Sequence, residues 1–226
     1  MNTTELDDLK WITGLLGLAA AIITGVGEFL LHYDSQARFT DGLAFFQGIS
    51  ERRSNWGHVL GVMGPPLYAV GAFHIFLMLK SANTRWAFIL FGIMAYGCAL
   101  GGVWMGSRES ISAIVNAPQY AEFGNLVALY DLRYETILNV TRVAILLVSV
   151  IYIWLTATGR SSYPRWITFF NPILLLLASF VIWLVAPQVG KYMMPIALNI
   201  AFFIFFVLSL VFVKRQQINS LPIGAN

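Results

Sequence analysis

Apolar residues in this chain gather in long unbroken runs, and polar residues collect in the gaps between them. Six runs stand out, at roughly 11–32, 56–79, 85–106, 137–158, 166–186 and 192–213. Each is close to the ~20 residues that an α-helix needs to cross about 30 Å of hydrocarbon. The pattern predicts an all-α fold, a single integral membrane bundle of six transmembrane helices. The short connections KSANTR, GRSSYPR and PQVGKY suit antiparallel neighbours. Long connections at 33–55 and 107–136 fall together on one side, and an even number of spans brings both termini to the other.

Composition agrees with this class. Of 226 residues, 58% are hydrophobic and only 11% charged, where soluble domains carry about a quarter charged. The mean hydropathy is +0.72. The opening MNTTELDDLK is acidic ahead of its first apolar run, which argues against a cleaved signal peptide. A lone cysteine, Cys98, excludes an internal disulfide or a cysteine metal cluster. The net charge of +3 comes from basic loop ends, with no basic run longer than a pair, so a nucleic-acid partner is not expected.

Charge placement orients the bundle. The side holding the termini carries Lys10, Lys80, Arg85, Arg160, Arg165, Lys214 and Arg215, set tightly at span ends. The opposite side carries Arg38, Arg52, Arg53, Arg108, Arg133 and Lys191 against seven carboxylates. Positive residues close to span ends favour the cytoplasm. Both termini are therefore expected there, with the long loops outside, in a chain of the bacterial inner membrane. Gly57/Gly61, Gly97/Gly101 and Gly102/Gly106, each spaced four apart, predict a close approach of the second and third spans.

Ionisable residues converge on the long-loop end. Glu28 and His32, four apart, share one helical face near the end of the first span. His58 begins the second span at a similar depth. Trp104, Arg108 and Glu109 close the third, and Glu135, Asn139 and Arg142 line one face of the fourth. Lys191, Tyr192 and Asn199 add to that end from the last turn. Ionisable groups inside a membrane are costly and usually functional. The plainer readings are headgroup anchoring for Arg108, Glu109, Lys191 and Tyr192, and a structural Glu28–Arg142 ion pair. His74 lies ~24 Å along the helix from His58, too far to share the site, and is expected to hydrogen-bond locally. Pro65 and Pro66, mid-span, free backbone carbonyls and predict a kink beside His58.

Several chemistries suit such a cluster. As general acid/base machinery, Glu28, His58, Glu135 and Arg142 would be catalytic, with His32, Trp104, Glu109 and Asn139 contacting a lipid or other hydrophobic substrate. Alternatively Glu28, His32 and His58 would offer a His₂Glu set to a metal such as zinc. A third reading is a solute-binding or transport protein, similar to the substrate-capturing subunits of vitamin importers, with the first outer loop as a lid. Partners expected are membrane lipids and a hydrophobic small molecule, with homo-oligomer formation left open.

Two resemblances accompany these readings. SNWGH, Ser54 to His58, resembles the Ser-x-x-x-His element of the membrane hydrolases that include alkaline ceramidases and adiponectin receptors, which implies zinc. Those proteins have seven spans and a His-x-x-x-His in the last, and the last span here has no histidine. Over the whole chain, the acidic-histidine end of span one, GPPLYAVG, NP and PIALNIAFFIFF resemble an uncharacterised family of bacterial polytopic membrane proteins. That resemblance implies a fold and no activity.

Overall fold

A computed structural model describes residues 3–38 and 42–219, and every regular element among them is helical. The α-helices are α1 (Thr3–His32), α2 (Glu51–Leu79), α3 (Thr84–Val115), α4 (Gly124–Ala157), α5 (Pro172–Val185), α6 (Pro187–Met193) and α7 (Ala197–Asn219). Five stretches are long and apolar enough to cross a membrane: α1, α2, α3, α4 with the turn before it, and α6 through α7. The chain is a helical membrane protein. The run predicted at 166–186 divides into a 3-10 stretch, Arg165–Phe170, and the 14-residue apolar α5. The division has a local cause. The Asn171 side chain accepts from the amides of Ile173 and Leu174, and Pro172 takes the first helical position, where its missing N–H costs nothing.

Helix ends elsewhere follow the same chemistry. Ser50 caps α2 by accepting from the Arg53 amide, and Asn83 caps α3 by accepting from the Trp86 amide at 3.2 Å. At the C-terminus of α1 the Arg53 guanidinium donates to the carbonyls of Phe29 and Tyr33, filling acceptors the helix leaves open. α2 runs unbroken through Pro65 and Pro66.

The tightest pairing is α1 against α2, and glycine makes it. A Cβ on Gly27 would strike the backbone of Gly61, and one on Gly64 would strike Thr24. Gly57 meets Leu31. Gly57 thus brings α2 to α1, while a Cβ on Gly61 would strike Met105 of α3. Gly61 is pressed by α1 on one side and α3 on the other, and the expected approach of the second and third spans is seen there. Gly102 and Gly106 make ordinary contacts with Pro65, Val62 and His58, whereas a Cβ on Gly101 would meet nothing within 4 Å. The small residues of α3 leave open space as much as they bring helices together. Gly14 faces Leu210 and Gly25 faces Asn199, so α1 and α7 run antiparallel.

α3 and α4 outrun the predicted spans at the long-loop end, α3 reaching Val115 and α4 starting at Gly124. Most of the connection expected at 107–136 is therefore helix. Its inner face packs Ile111, Val115 and Tyr134 on Phe46 and Ile49 of the first long loop. The main core lies toward the other end, around Ala72, Met78, Leu90, Leu155, Ile167 and Phe206.

Candidate functional site

The site is built on α1. Gly25 has no side chain to hold α7 away, since a Cβ there would come to 3.2 Å from that of Asn199. One turn later Glu28 therefore meets Asn199 directly, and the Asn199 amide donates to Glu28 Oε2. Asn199 is fixed in turn by the Tyr68 hydroxyl of α2, which donates to its Oδ1 at 2.7 Å. Three helices thus orient one carboxylate. Its other oxygen, Oε1, lies 3.8 Å from His32 Nδ1, the neighbour predicted by the four-residue spacing.

Glu28, Asn199 and Tyr68 form the polar end of a cavity of about 360 Å3. This is near the lower limit of the roughly 300–1,000 Å3 common for small-molecule sites. Its walls are largely apolar, including Met94, Leu138, Ile145, Leu176, Phe180 and Phe202. Along α3 the lining runs from Met105 to Ile93, a depth of ~18 Å at the helical rise. Gly97, Gly101 and the sole cysteine, Cys98, line the same wall. Thr24 Oγ1, Trp104 Nε1 and Ser149 Oγ line it as well, each buried with no hydrogen-bond partner among the described residues.

Above Trp104 lies a second arrangement. Arg108 is 5% exposed, and its guanidinium sits over four rings: Tyr134 at 4.3 Å, Phe46 and Trp104 at 4.8 Å and Phe45 at 5.1 Å. Cation–π attraction is strongest when desolvated, as here. The enclosed guanidinium is not the headgroup anchor that its place near a span end suggested. His32 packs edge-on to Phe45, Phe46 and Trp104, between the cage and Glu28. Asn116 pins the loop that supplies two of the rings, accepting from the Gly48 amide and donating to the Phe46 carbonyl, both at 2.9 Å.

The remaining candidates sit apart from Glu28. Arg142 lines the cavity at its edge, and its Nη1 donates to Asn139 at 2.7 Å and to Glu135 at 3.4 Å. Glu135 and Asn139 belong to the exposed face of α4 and do not line the cavity. The carboxylate of Glu28 is met by Asn199, and no ion pair among the described residues joins it to Arg142. His58 approaches Gly106 of α3 and is not a lining residue, and Glu109 is half-buried one position beyond Arg108. Among the described residues no three His, Cys, Asp or Glu side chains gather closely enough for a metal ion. Glu28 and His32 approach each other without the third donor that a His₂Glu set requires.

His74 is fully buried far from this site. Its Nδ1 lies 2.8 Å from the Lys10 carbonyl and its Nε2 2.6 Å from Ser209 Oγ, which also bonds Tyr163 at 2.7 Å. Outside the helices, Asp34 accepts from the Arg38 side chain at 2.7 and 3.1 Å and from the amides of Gln36 and Arg38. The Arg38 guanidinium first, and then these amides, hold its carboxyl below the ordinary aspartate range.

Of the residues that matter here, Tyr68 gave no signal in sequence beyond being a tyrosine in a span. Asn199 was visible as a polar interruption of an apolar run, but not as the partner of Glu28. No curated protein and no solved structure matches the chain. The sequence profile of a family of unknown function, DUF6796, matches residues 1–216, and the chain belongs to that family.

Proposed function

We propose that this protein is a small membrane enzyme that binds a hydrophobic molecule in the cavity and uses Glu28 to give or take a proton there. One observation carries the reading. A carboxylate is held by one oxygen through a fixed Tyr68–Asn199 relay, while the residue itself lines an otherwise apolar chamber. Orientation fixed in advance and exclusion of water are what acid–base catalysis asks of a side chain. A carboxylate kept only for packing needs neither an adjacent cavity nor a relay.

In this reading α5 and its flanking residues make a sixth span, both termini face the cytoplasm, and the membrane is a bacterial inner membrane. Glu28 is the acid/base and His32 its immediate neighbour, with Trp104 forming part of the chamber wall. Arg142 stands at the rim, backed by Asn139 and Glu135. His58 and Glu109 act on the packing around the site.

The test is turnover in vesicles. Wild-type protein and Glu28→Gln are reconstituted separately into the total lipid extract of the expression host, and the lipids are compared by mass spectrometry over time. The reading expects a lipid or isoprenoid species that changes only with wild type, while Glu28→Gln remains folded and monodisperse. No change with either protein, together with retention of a water-soluble compound on purification, would instead indicate solute capture or transport.

A further inference from the structure

We infer that the molecule taken by this cavity is a single-chain amphiphile with an anionic headgroup, which enters sideways from the bilayer between α4 and α5 and is anchored by Arg142. The inference rests on the proposed function and names its substrate class and route.

The route follows from what is closed and what is open. At the long-loop end, Phe46 is fully buried on Arg108 and His32, and the loop that carries it is latched to α3 by Asn116. Arg53 ties the start of α2 to the last carbonyls of α1 beside it. Between α4 and α5 the packing is sparse. The lining residues there face outward, Phe180 being 42% exposed and the Arg142 side chain 58% exposed. Neighbouring outward positions on the same two helices are apolar: Leu146, Leu177 and Val181. An opening flanked by such residues faces hydrocarbon rather than water.

The headgroup follows from Arg142. A guanidinium carries five N–H donors. Both bonds that Arg142 makes leave from Nη1, to the neutral Asn139 at 2.7 Å and to Glu135 at a long 3.4 Å. Nε and Nη2 have no partner among the described residues, and the side chain forms part of the cavity rim. A planar fork with free donors at the mouth of an apolar chamber matches a phosphate or carboxylate whose chain runs inward. The narrow volume, about 360 Å3, suits one hydrocarbon chain better than a two-chain lipid.

Cys98 lines the chamber and is the chain's only cysteine, so it reports on access without engineering. The full-length protein in phosphatidylcholine vesicles is treated with a long-chain N-alkylmaleimide or with an anionic, membrane-impermeant methanethiosulfonate. The proposal expects labelling by the lipophilic reagent alone. Labelling by the impermeant reagent overturns the lateral route while leaving the role of Glu28 intact. Labelling by neither, with no crosslink to α4 or α5 on photolysis of a diazirine-bearing laurate, overturns it as well. Dodecyl phosphate, laurate and dodecanol are then added as competitors. One or both anions should slow lipophilic labelling, and which of them does so separates a phosphate from a carboxylate source. In Arg142→Gln that protection should weaken about tenfold, the scale of one charge-assisted hydrogen bond. Arg142→Lys should restore part of it. Equal protection by dodecanol, or anion protection unchanged in Arg142→Gln, overturns the headgroup assignment.

Discussion

Asn199 joins Glu28 to Tyr68: its amide nitrogen donates to the carboxylate and its oxygen accepts from the hydroxyl at 2.7 Å. The three residues come from α7, α1 and α2, so a single side chain bridges the glycine-packed pair to the last helix. Removing it leaves a hydroxyl and a carboxylate oxygen unsatisfied at once. Asn199→Leu should therefore destabilise the protein by roughly 2–4 kcal/mol, whereas Tyr68→Phe, which keeps the Asn199–Glu28 bond, should cost about 1 kcal/mol. Thermal unfolding of the detergent-solubilised variants checks the order. Equal losses would mean that the relay is not the link between the helices.

The open space at Gly101 gives a way to close the chamber without disturbing its walls. A Cβ there meets no atom within 4 Å, and the residue lines the cavity. Leucine also has a better helix propensity than glycine by up to ~1 kcal/mol. Gly101→Leu is expected to keep or raise the unfolding temperature while eliminating ligand retention, measured by mass spectrometry of lipid extracted from the purified protein. Gly27→Leu makes the contrast, since a side chain there strikes the Gly61 backbone and should prevent stable folding.

At the far end of the bundle, Ser209 bonds both His74 and Tyr163. The trio joins α2, α7 and the α4–α5 connection in the main core, away from the cavity. Ser209→Ala leaves two buried polar groups without that partner and should cost about 1–3 kcal/mol. Ligand retention and turnover should be unchanged per folded molecule. A loss of turnover with unchanged thermal stability would contradict a purely structural role.

Asp34 supplies a pH dependence. Its carboxyl is held below the ordinary value of 3.8 by the Arg38 guanidinium and by the loop amides it accepts from. A depressed folded-state value contributes stability that is fully present above the unfolded value and is lost as pH falls through the folded one. Docking of residues 34–38 should thus persist from neutrality down to about pH 4 and loosen below it. Pulsed amide exchange of the Gln36 and Arg38 amides at a series of pH values reads this directly. In Asp34→Asn these amides should exchange faster even at neutral pH.

What was legible in sequence and what was not divides along physical lines. The apolar runs marked the long helices because bilayer thickness imposes their length. The apolar run at 166–186 did not show its division, although the cap and N1 chemistry of Asn171 and Pro172 that starts α5 is local. The Glu28–His32 contact followed from helical spacing alone. Asn199 is different, because its bond to Glu28 depends on the antiparallel setting of α1 against α7, which glycine packing fixes and no local pattern reveals. Arg108 resembled an anchor because its span was expected to end at 106. α3 continues past that point, and the first long loop folds Phe45 and Phe46 over it. The glycines of α2 were legible as packing residues, and Gly61 does meet α3 at Met105. The contact of Gly57 and Gly64 with α1 was not foreseen, since a small-residue face does not encode its partner.

The role of Glu28 is read most simply by comparing what wild type and Glu28→Gln carry after purification in mild detergent. Mass spectrometry of the extracted apolar fraction should find one class of hydrophobic molecule on both proteins. Glu28→Gln is expected to hold an unconverted form differing in mass from what wild type holds or releases. Identical molecules on the two folded proteins, or none on either, would contradict a catalytic carboxylate in this chamber.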